Sequence, residues 1–149
     1  MQDLYRSFKD NCGFGLLASI DNKESYQNLD DAITALSRMM HRGAIAADGK
    51  SGDGSGLLLS LPKKFFRKIA EEKGVDLPDL FGIGVVFLKD EEHKNIVDEY
   101  CERNDLKVLL WREVPINTEV LGELALKTLP KIYHAFIVPN SIVATKRFE

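Results

Sequence analysis

The feature of the sequence that most constrains the fold is a glycine-dense segment, DGKSGDGSG, at residues 48–56. Four of its nine residues are glycine. Glycine at that density favours neither a helix nor a strand, because ordering its backbone costs more conformational entropy than ordering any other residue. The segment therefore predicts a loop, and regular elements should lie on either side of it.

The residues before this loop predict one strand and one helix. Residues 13–20, GFGLLASI, form a short apolar run with small residues, which is typical of a buried strand with Cys12 at its entrance. Asn28 can cap a following helix, and Gly43 suits the left-handed position that ends one. The apolar positions at helical spacing are Leu29, Ile33, Leu36 and Met40. One face of this helix should pack on a sheet.

The residues after the loop alternate between strand and helix patterns. Four segments have the apolar or alternating composition of strands: residues 57–61, 81–88, 106–114 and 131–138. Three segments have the spacing of helices, the first with Pro62 in its opening turn and the last with Thr118 as its cap: residues 62–73, 90–104 and 118–129. Short links that suit antiparallel pairing favour a layered α/β or α+β domain over an all-parallel one.

Composition narrows the classes of protein further. With 149 residues and 44% hydrophobic content, the chain can bury a core as one domain. Its net charge of −3 offers no positive excess for nucleic acid or an anionic membrane. Residues 1–9 contain neither the apolar run of a signal peptide nor a membrane span, which predicts a cytoplasmic protein. Cys12 and Cys101 lack zinc-site spacing, so we predict two thiols and no metal, and sequence alone leaves a single disulfide open.

Cys12 is the sharpest candidate for chemistry. Gly13 and Gly15 follow it and remove backbone crowding where a substrate would approach a thiol. Taken alone, an isolated cysteine is more often a small buried apolar residue. The glycine loop also has two interpretations. The amides of residues 52–56 could cradle phosphate, but these glycines are not followed by the GK[ST] ending of a P-loop, which favours a turn close to the nucleophile with Asp53 and Gly54 shaping the pocket.

Three blocks of the sequence carry a family resemblance. They are DNCGFGLLA at residues 10–18, HRGA at 41–44 and DGKSGDGSGLLL at 48–59. In this order they resemble the opening of glutamate synthase large subunits, whose N-terminal domain is a class II glutamine amidotransferase with an N-terminal nucleophile. The resemblance implies an α+β fold, the four-layer αββα sandwich of N-terminal-nucleophile hydrolases, present only in part. We therefore expect a domain that runs from residue 12 and continues beyond residue 149.

The resemblance also implies how Cys12 works. Residues 1–11 would be a leader whose removal makes Cys12 the first residue, so that its own amine can act as the base of the thiol. Arg42 matches the arginine of the family's HRGA block and would hold the α-carboxylate of glutamine through its paired donors. A lone surface arginine more often forms an ordinary ion pair.

The implied function is release of ammonia from L-glutamine for glutamate synthesis from 2-oxoglutarate. The complete enzyme would add FMN, an iron–sulfur cluster, NADPH or ferredoxin, and a small subunit. We expect this segment itself to bind no cofactor. The family's oxyanion-hole Asn-Gly pair does not occur in these 149 residues, so we expect the chain alone to be inactive. The alternative is a non-catalytic α/β interaction or regulatory module. An unfinished sheet predicts self-association in either case.

Overall fold

The structure is a computed structural model that describes residues 13–21, 23, 25–39, 45–52 and 54–141. In chain order the elements are α1 (Tyr26–Arg38), α2 (Lys63–Glu72), β1 (Gly82–Leu88), α3 (Lys94–Arg103), β2 (Leu106–Glu113), α4 (Glu123–Lys127) and β3 (Lys131–Pro139). They fall into two compact units. Unit 1 contains the described residues up to 58 together with 119–127, and unit 2 contains residues 59–118 and those from 128 onward.

Unit 2 is built on a three-stranded sheet in the order β1-β3-β2, with β3 antiparallel to both neighbours. The central position of β3 follows from its composition, because a strand covered on both faces needs apolar residues at nearly every position. Tyr133 and Ala135 are buried on one face, and Phe136 and Val138 on the other. The mixture of helices with an antiparallel sheet confirms the predicted α+β composition.

A helix covers each face of this sheet. On the first face, the ring of Phe66 in α2 packs edge-on against Phe136, with 5.7 Å between the ring centroids. Four further residues complete this core: Ala70, Leu77, Phe81 and Val138. On the second face, α3 lies against β2, where the indole Nε1 of Trp111 donates a hydrogen bond of 3.1 Å to Asp98. The sheet of unit 2 is thus the middle of three layers.

An extra residue in β2 decides which face Trp111 occupies. Val108 pairs with Ile137, but the next pair is Leu110 with Phe136, so Leu109 has no partner in the ladder. This arrangement is a β-bulge. Because side chains alternate between faces, the bulge shifts every later residue of β2 to the opposite face. Trp111 consequently lies opposite Ala135, on the face that α3 covers.

Two predicted strands are wrong. Residues 13–20 and 57–61 contain no strand in the structure. Most of their side chains are exposed, with Phe14 at 96% and Leu58 at 100% of full accessibility. Apolar composition supplies β propensity, but a strand also needs a neighbour with which to share hydrogen bonds. Neither segment has such a neighbour among the described strands.

All four predicted helices are present, but the first, third and fourth begin at other residues than predicted, and Pro62 is the N-cap of the second. The first helix begins at Tyr26, because Ser25, not Asn28, is the N-cap and its Oγ accepts a 3.1 Å hydrogen bond from the amide of Gln27. Met40 and Gly43, placed at the end of that helix, lie outside the described residues. The second helix ends as predicted, with Gly74 at a φ of 74°.

The third and fourth helices lie within the predicted ranges, but each begins at a later residue than predicted. The helix predicted from residue 90 starts as a 3-10 turn, Glu91–His93, before α3. The helix predicted for residues 118–129 is only α4, five residues long, and it is not capped by Thr118. Its cap comes from a distant part of the chain, as the site geometry shows.

Candidate functional site

The structure describes only part of the predicted site. Cys12, Arg42 and Asp53 lie outside the described residues. Gly13 and Gly54 are described, and both are exposed and outside any helix or strand. A Cβ atom built on Gly54 would meet no heavy atom within 4 Å. The pocket-shaping roles of Gly13, Asp53 and Gly54 therefore stay predictions.

The described residues next to the predicted site form a tight hairpin at residues 45–52, which we call the Asp48 hairpin. Ile45 and Gly52 form an isolated antiparallel bridge at its base. The amide of Ala46 donates a 2.7 Å hydrogen bond to the carbonyl of Ser51. Gly49 turns the chain at a φ of 69°, a left-handed conformation that favours glycine. The loop predicted from glycine content is confirmed, and it has a defined structure.

The carboxylate of Asp48 organises this hairpin. Its Oδ1 accepts hydrogen bonds from the amides of Lys50 at 3.1 Å and Ser51 at 2.8 Å, which closes the turn. Its Oδ2 accepts the hydroxyl hydrogen of Ser51, with 2.5 Å between the two oxygens. The same Oδ2 accepts a 3.1 Å hydrogen bond from the amide of Leu124, which is 76 residues away in sequence. The carboxylate thus joins the hairpin to α4 within unit 1.

Asp48 and Ser51 together act as the N-cap of α4. A helix leaves its first amides without partners, and the residue before the helix normally accepts from the second or third of them. Gly122 precedes α4 and has no side chain to do so. Instead, Asp48 accepts from the amide of Leu124, and the Oγ of Ser51 accepts from the amide of Ala125 at 3.1 Å. Two side chains from the hairpin thereby replace one local cap.

Gly122 makes this approach possible. It is buried, and a Cβ atom at this position would lie 2.4 Å from both Asp48 Oδ2 and Ser51 Oγ. The same atom would lie 2.7 Å from the amide nitrogen of Ser51. These separations are far below van der Waals contact, so any larger residue would push the hairpin away from α4.

The electrostatics agree with the geometry. The hydrogen bonds from Ser51, Leu124 and Lys50 hold the pKa of Asp48 well below the ordinary value of an aspartate, because each of them stabilises the charged form. A negative charge beside the start of α4 also complements the positive end of the helix dipole. The carboxylate is therefore ionised throughout the neutral pH range.

Sequence reasoning missed Asp48, Ser51 and Gly122 as a group. The local signal was present, because an Asp followed by Gly-Lys-Ser is a common turn sequence. The partner was not visible, since nothing in a pattern connects a turn to a helix start more than 70 residues later.

Cys101 is the one cysteine within the described residues, and it is a free thiol. It lies in α3 and is 4% exposed. Burial, with a smaller contribution from Asp98, raises the pKa of this thiol. A buried thiol whose pKa is raised is a poor nucleophile at neutral pH.

The histidines of unit 2 show no catalytic arrangement. His134 lies in β3, and its Nδ1 is 3.1 Å from Nη1 of Arg112. Burial and then Arg112 lower the pKa of His134, so it is neutral at ordinary pH. His93 is exposed, and its Nδ1 lies 3.2 Å from the carbonyl of Asp90. Neither ring nitrogen contacts a carboxylate or a thiol in these hydrogen bonds.

Other features of the described residues add no competing site. An open groove of about 450 Å³ in unit 2 is lined by residues such as Pro115, Ile116 and Leu129, and contains none of the predicted site residues. Among the described residues, no cluster of three or more His, Cys, Asp or Glu could hold a metal. No helix in the described ranges is long and apolar enough to cross a membrane.

Comparison with known sequences places this chain in a family. Residues 12–149 match the class-II glutamine amidotransferases, and the match begins at Cys12. The chain therefore belongs to the class-II glutamine amidotransferase family, a family of enzymes. The predicted family is confirmed.

Its relatives within that family are glutamate synthases. It is 40% identical over 133 residues to ferredoxin-dependent glutamate synthase 1, chloroplastic/mitochondrial, of Arabidopsis thaliana, covering 85% of this chain and 8% of that protein. It is 38% identical over 149 residues to the ferredoxin-dependent enzyme of Cyanidium caldarium, covering 95% and 9%. It is 36% identical over 147 residues to the NADPH glutamate synthase large chain of Azospirillum brasilense, covering 94% and 10%. The chain spans about a tenth of the length of these relatives.

Proposed function

We propose that this chain carries the glutamine-hydrolysing site of a glutamate synthase and that Cys12 is its nucleophile. The observation that carries the proposal is that the match to class-II glutamine amidotransferases begins at residue 12, a cysteine. The buried position of Cys101 supports the assignment, because the other thiol of the chain is sequestered in α3.

In the proposed reaction, the thiolate of Cys12 attacks the side-chain amide carbon of L-glutamine. The carbon–nitrogen bond breaks, the nitrogen takes up a proton, and ammonia leaves behind a glutamyl thioester. Water then attacks the thioester, which releases glutamate and restores the thiol. Arg42 would bind the α-carboxylate with paired hydrogen bonds, and Gly13, Asp53 and Gly54 would shape the pocket.

The proposed base is the α-amine of Cys12 itself. Residues 1–11 would be a leader, so that cleavage after Asn11 converts an amide nitrogen into a free amine. A terminal amine has an ordinary pKa of about 7.7 to 8.0, which suits it to accept the proton of the thiol near neutral pH. An amide nitrogen has no basic lone pair, so the uncleaved chain would keep the thiol protonated.

The remaining chemistry of a glutamate synthase would lie outside these residues. The relatives' names specify ferredoxin or NADPH as electron donor. Cysteine-ligated iron–sulfur clusters of the [2Fe–2S] and [4Fe–4S] types take four cysteines, whereas this chain has two, so its donor set does not fit such a cluster. The proposed contribution of this chain is ammonia for glutamate formation from 2-oxoglutarate, together with the remainder of the synthase and its small subunit. Family membership also supports the four-layer αββα sandwich as the fold of the complete domain. A cytosolic location stays a prediction.

The assignment is tested by ammonia release from glutamine in the full-length gene product, meaning the protein as translated from its whole gene. We expect Cys12→Ala to abolish release and Cys101→Ala to retain it. An electrophilic glutamine analogue should add mass to the Cys12 peptide and spare the Cys101 peptide. Unchanged ammonia release in Cys12→Ala would refute the assignment.

A second measurement concerns the 149-residue chain by itself. We propose that it does not hydrolyse glutamine, whether it begins at Met1 or at Cys12, because it contains no Asn-Gly pair to supply the family's oxyanion donors. Loss of even one such donor costs about a hundred- to a thousandfold in rate. Ammonia production above the uncatalysed background by either version would contradict this expectation.

A non-catalytic interaction module is the second candidate, and exposed apolar surface is the observation behind it, although an unfinished amidotransferase domain would expose such surface as well. Large apolar side chains are fully or nearly fully exposed in the two segments that were predicted as strands, including Phe14, Ile20 and Leu58. Exposed apolar surface of this kind promotes association, so we propose that the isolated chain self-associates. Sedimentation of the chain over a range of concentrations tests this, and a monomer at all concentrations would count against it.

A further inference from the structure

The Asp48 hairpin connects the two sequence blocks that supply the proposed glutamine-binding residues. Arg42 precedes Ile45 by three residues, and Asp53 follows Gly52 directly. Ile45 and Gly52 face each other in the bridge at the base of the hairpin. The two blocks are therefore attached to opposite ends of one small structural element. A displacement of that element moves both points of attachment together.

Neither the hairpin nor α4 has the means to stay ordered alone. Within the described residues the hairpin has one bridge, and an isolated two-stranded hairpin is marginally stable in water. A helix as short as the five residues of α4 is likewise unstable by itself. The hairpin and α4 stabilise each other, because the amides of Leu124 and Ala125 at the start of α4 donate to Asp48 and Ser51 of the hairpin.

The contact between them is built for one geometry. Both oxygens of Asp48 are used, one for the turn of the hairpin and one for α4. The Oγ of Ser51 donates to Asp48 and accepts from Ala125. Gly122 allows both side chains to come within hydrogen-bond distance of the helix start. Hydrogen bonds to a charged carboxylate are among the stronger ones in proteins, so this contact fixes the hairpin on residues 122–125.

We propose that Asp48 and Ser51 are positioning residues of the glutamine site, which hold the hairpin on α4 so that the blocks carrying Arg42 and Asp53 bind glutamine productively. This inference rests on the proposed glutaminase function and adds to it residues that do not contact the substrate. Residues 119–127 would then act on the site through the hairpin.

The test uses Asp48→Asn, Ser51→Ala and their double variant in the full-length gene product. In Asp48→Asn one carboxylate oxygen becomes an NH2 group, so the variant cannot serve both the turn and α4. Asp30→Asn is the matched control, because it removes the same charge from an exposed position on α1 in the same unit. The readouts are kcat and KM for glutamine hydrolysis, hydrogen exchange in peptides covering residues 119–127, and labelling of Cys12 by a glutamine analogue.

We expect Asp48→Asn and Ser51→Ala to raise KM for glutamine about ten- to a hundredfold, with a much smaller change in kcat, because the binding blocks are misplaced. Hydrogen exchange in residues 119–127 should accelerate in both variants, and Asp30→Asn should match the wild type in every readout. The double variant should lose less than the product of the two single losses, since both residues act in one contact.

Several outcomes would overturn the inference. If Asp48→Asn has the same KM as the wild type, Asp48 has no positioning role. The glutaminase assignment would still stand in that case, provided that the wild type is active through Cys12. A fall in kcat alone, in proportion to the loss of folded protein, would indicate a purely structural role. If Asp48→Asn does not fold, Ser51→Ala carries the same test, because it removes only one hydroxyl. A wild type with neither ammonia release nor Cys12 labelling would overturn the assignment and this inference together.

Discussion

Two neighbouring phenylalanines of α2 allow the core of unit 2 to be tested with a closely matched pair of variants. Phe66 is 8% exposed, and its ring lies edge-on to those of His134 at 5.3 Å and Phe136 at 5.7 Å. Phe65 is 53% exposed. Replacing either one by alanine changes helix propensity equally, so the difference between them measures burial.

The expected magnitudes follow from these exposures. Removal of a buried phenylalanine costs about 3–5 kcal/mol, and the small exposure of Phe66 places its loss near 3–4 kcal/mol. Phe65 is about half buried, so Phe65→Ala loses half of the transfer free energy of a phenylalanine, which is about 1 kcal/mol. This truncation leaves no closed cavity, because the side chain is at the surface. Phe66→Ala should therefore lower the free energy of unfolding by about 2 kcal/mol more than Phe65→Ala does.

The assay is urea unfolding followed by tryptophan fluorescence. The chain has one tryptophan, Trp111 in β2, so the signal reports on unit 2 alone. With an unchanged slope of roughly 1–3 kcal/mol per molar urea, Phe66→Ala should move the midpoint by about 1 M or more. Equal midpoints for Phe65→Ala and Phe66→Ala would refute the packing of α2 on the sheet.

Three further predictions follow from single contacts. Arg67→Ala should lower the free energy of unfolding by roughly 1–3 kcal/mol in the same assay, because Arg67 donates to the carbonyls of Leu77 at 2.7 Å and Pro78 at 2.9 Å. Asp79→Asn should lower it little, because the carboxylate of Asp79 is fully exposed. A thiol reagent should modify the native Cys101 slowly and the urea-unfolded one quickly, and equal rates followed by mass spectrometry would contradict its burial. Because the pKa of Asp48 is lowered in the fold, its stabilising effect should be complete above the ordinary aspartate pKa of about 3.9 and be lost as pH falls through the lower, folded-state pKa. The stability difference between wild type and Asp48→Asn, measured by urea unfolding with hydrogen exchange in residues 119–127, should accordingly shrink in acid, and a difference that grows in acid would contradict the sign.

Local patterns were enough to predict most of unit 2. The helical spacing of α2, the apolar run of β1 and the apolar positions on both faces of β3 each indicate a structure whose cause lies in neighbouring residues. Even the central place of β3 follows from this, because an edge strand would not need two apolar faces.

What sequence reasoning could not predict depends on partners far along the chain. Residues 13–20 have the composition of a strand, but composition does not supply the neighbour that a strand requires. The cap of α4 comes from Asp48 and Ser51, and no local rule links them to Leu124. Cys12 and Arg42 were singled out through family resemblance, since an isolated cysteine or arginine usually has an ordinary structural role.

The bulge at Leu109 has a consequence for how β2 can vary in length. Deleting that one residue would join Val108 to Leu110 in a regular ladder and leave Trp111 opposite Ala135. Pairing Leu109 with Phe136 would instead bring Trp111 opposite His134 and exchange the inward and outward side chains at the end of the strand. A swap of one apolar residue for another at position 109 changes only local packing. Natural variants of this protein should therefore tolerate the loss of this residue more readily than the loss of a paired residue of β2, because only the former keeps the existing pairs.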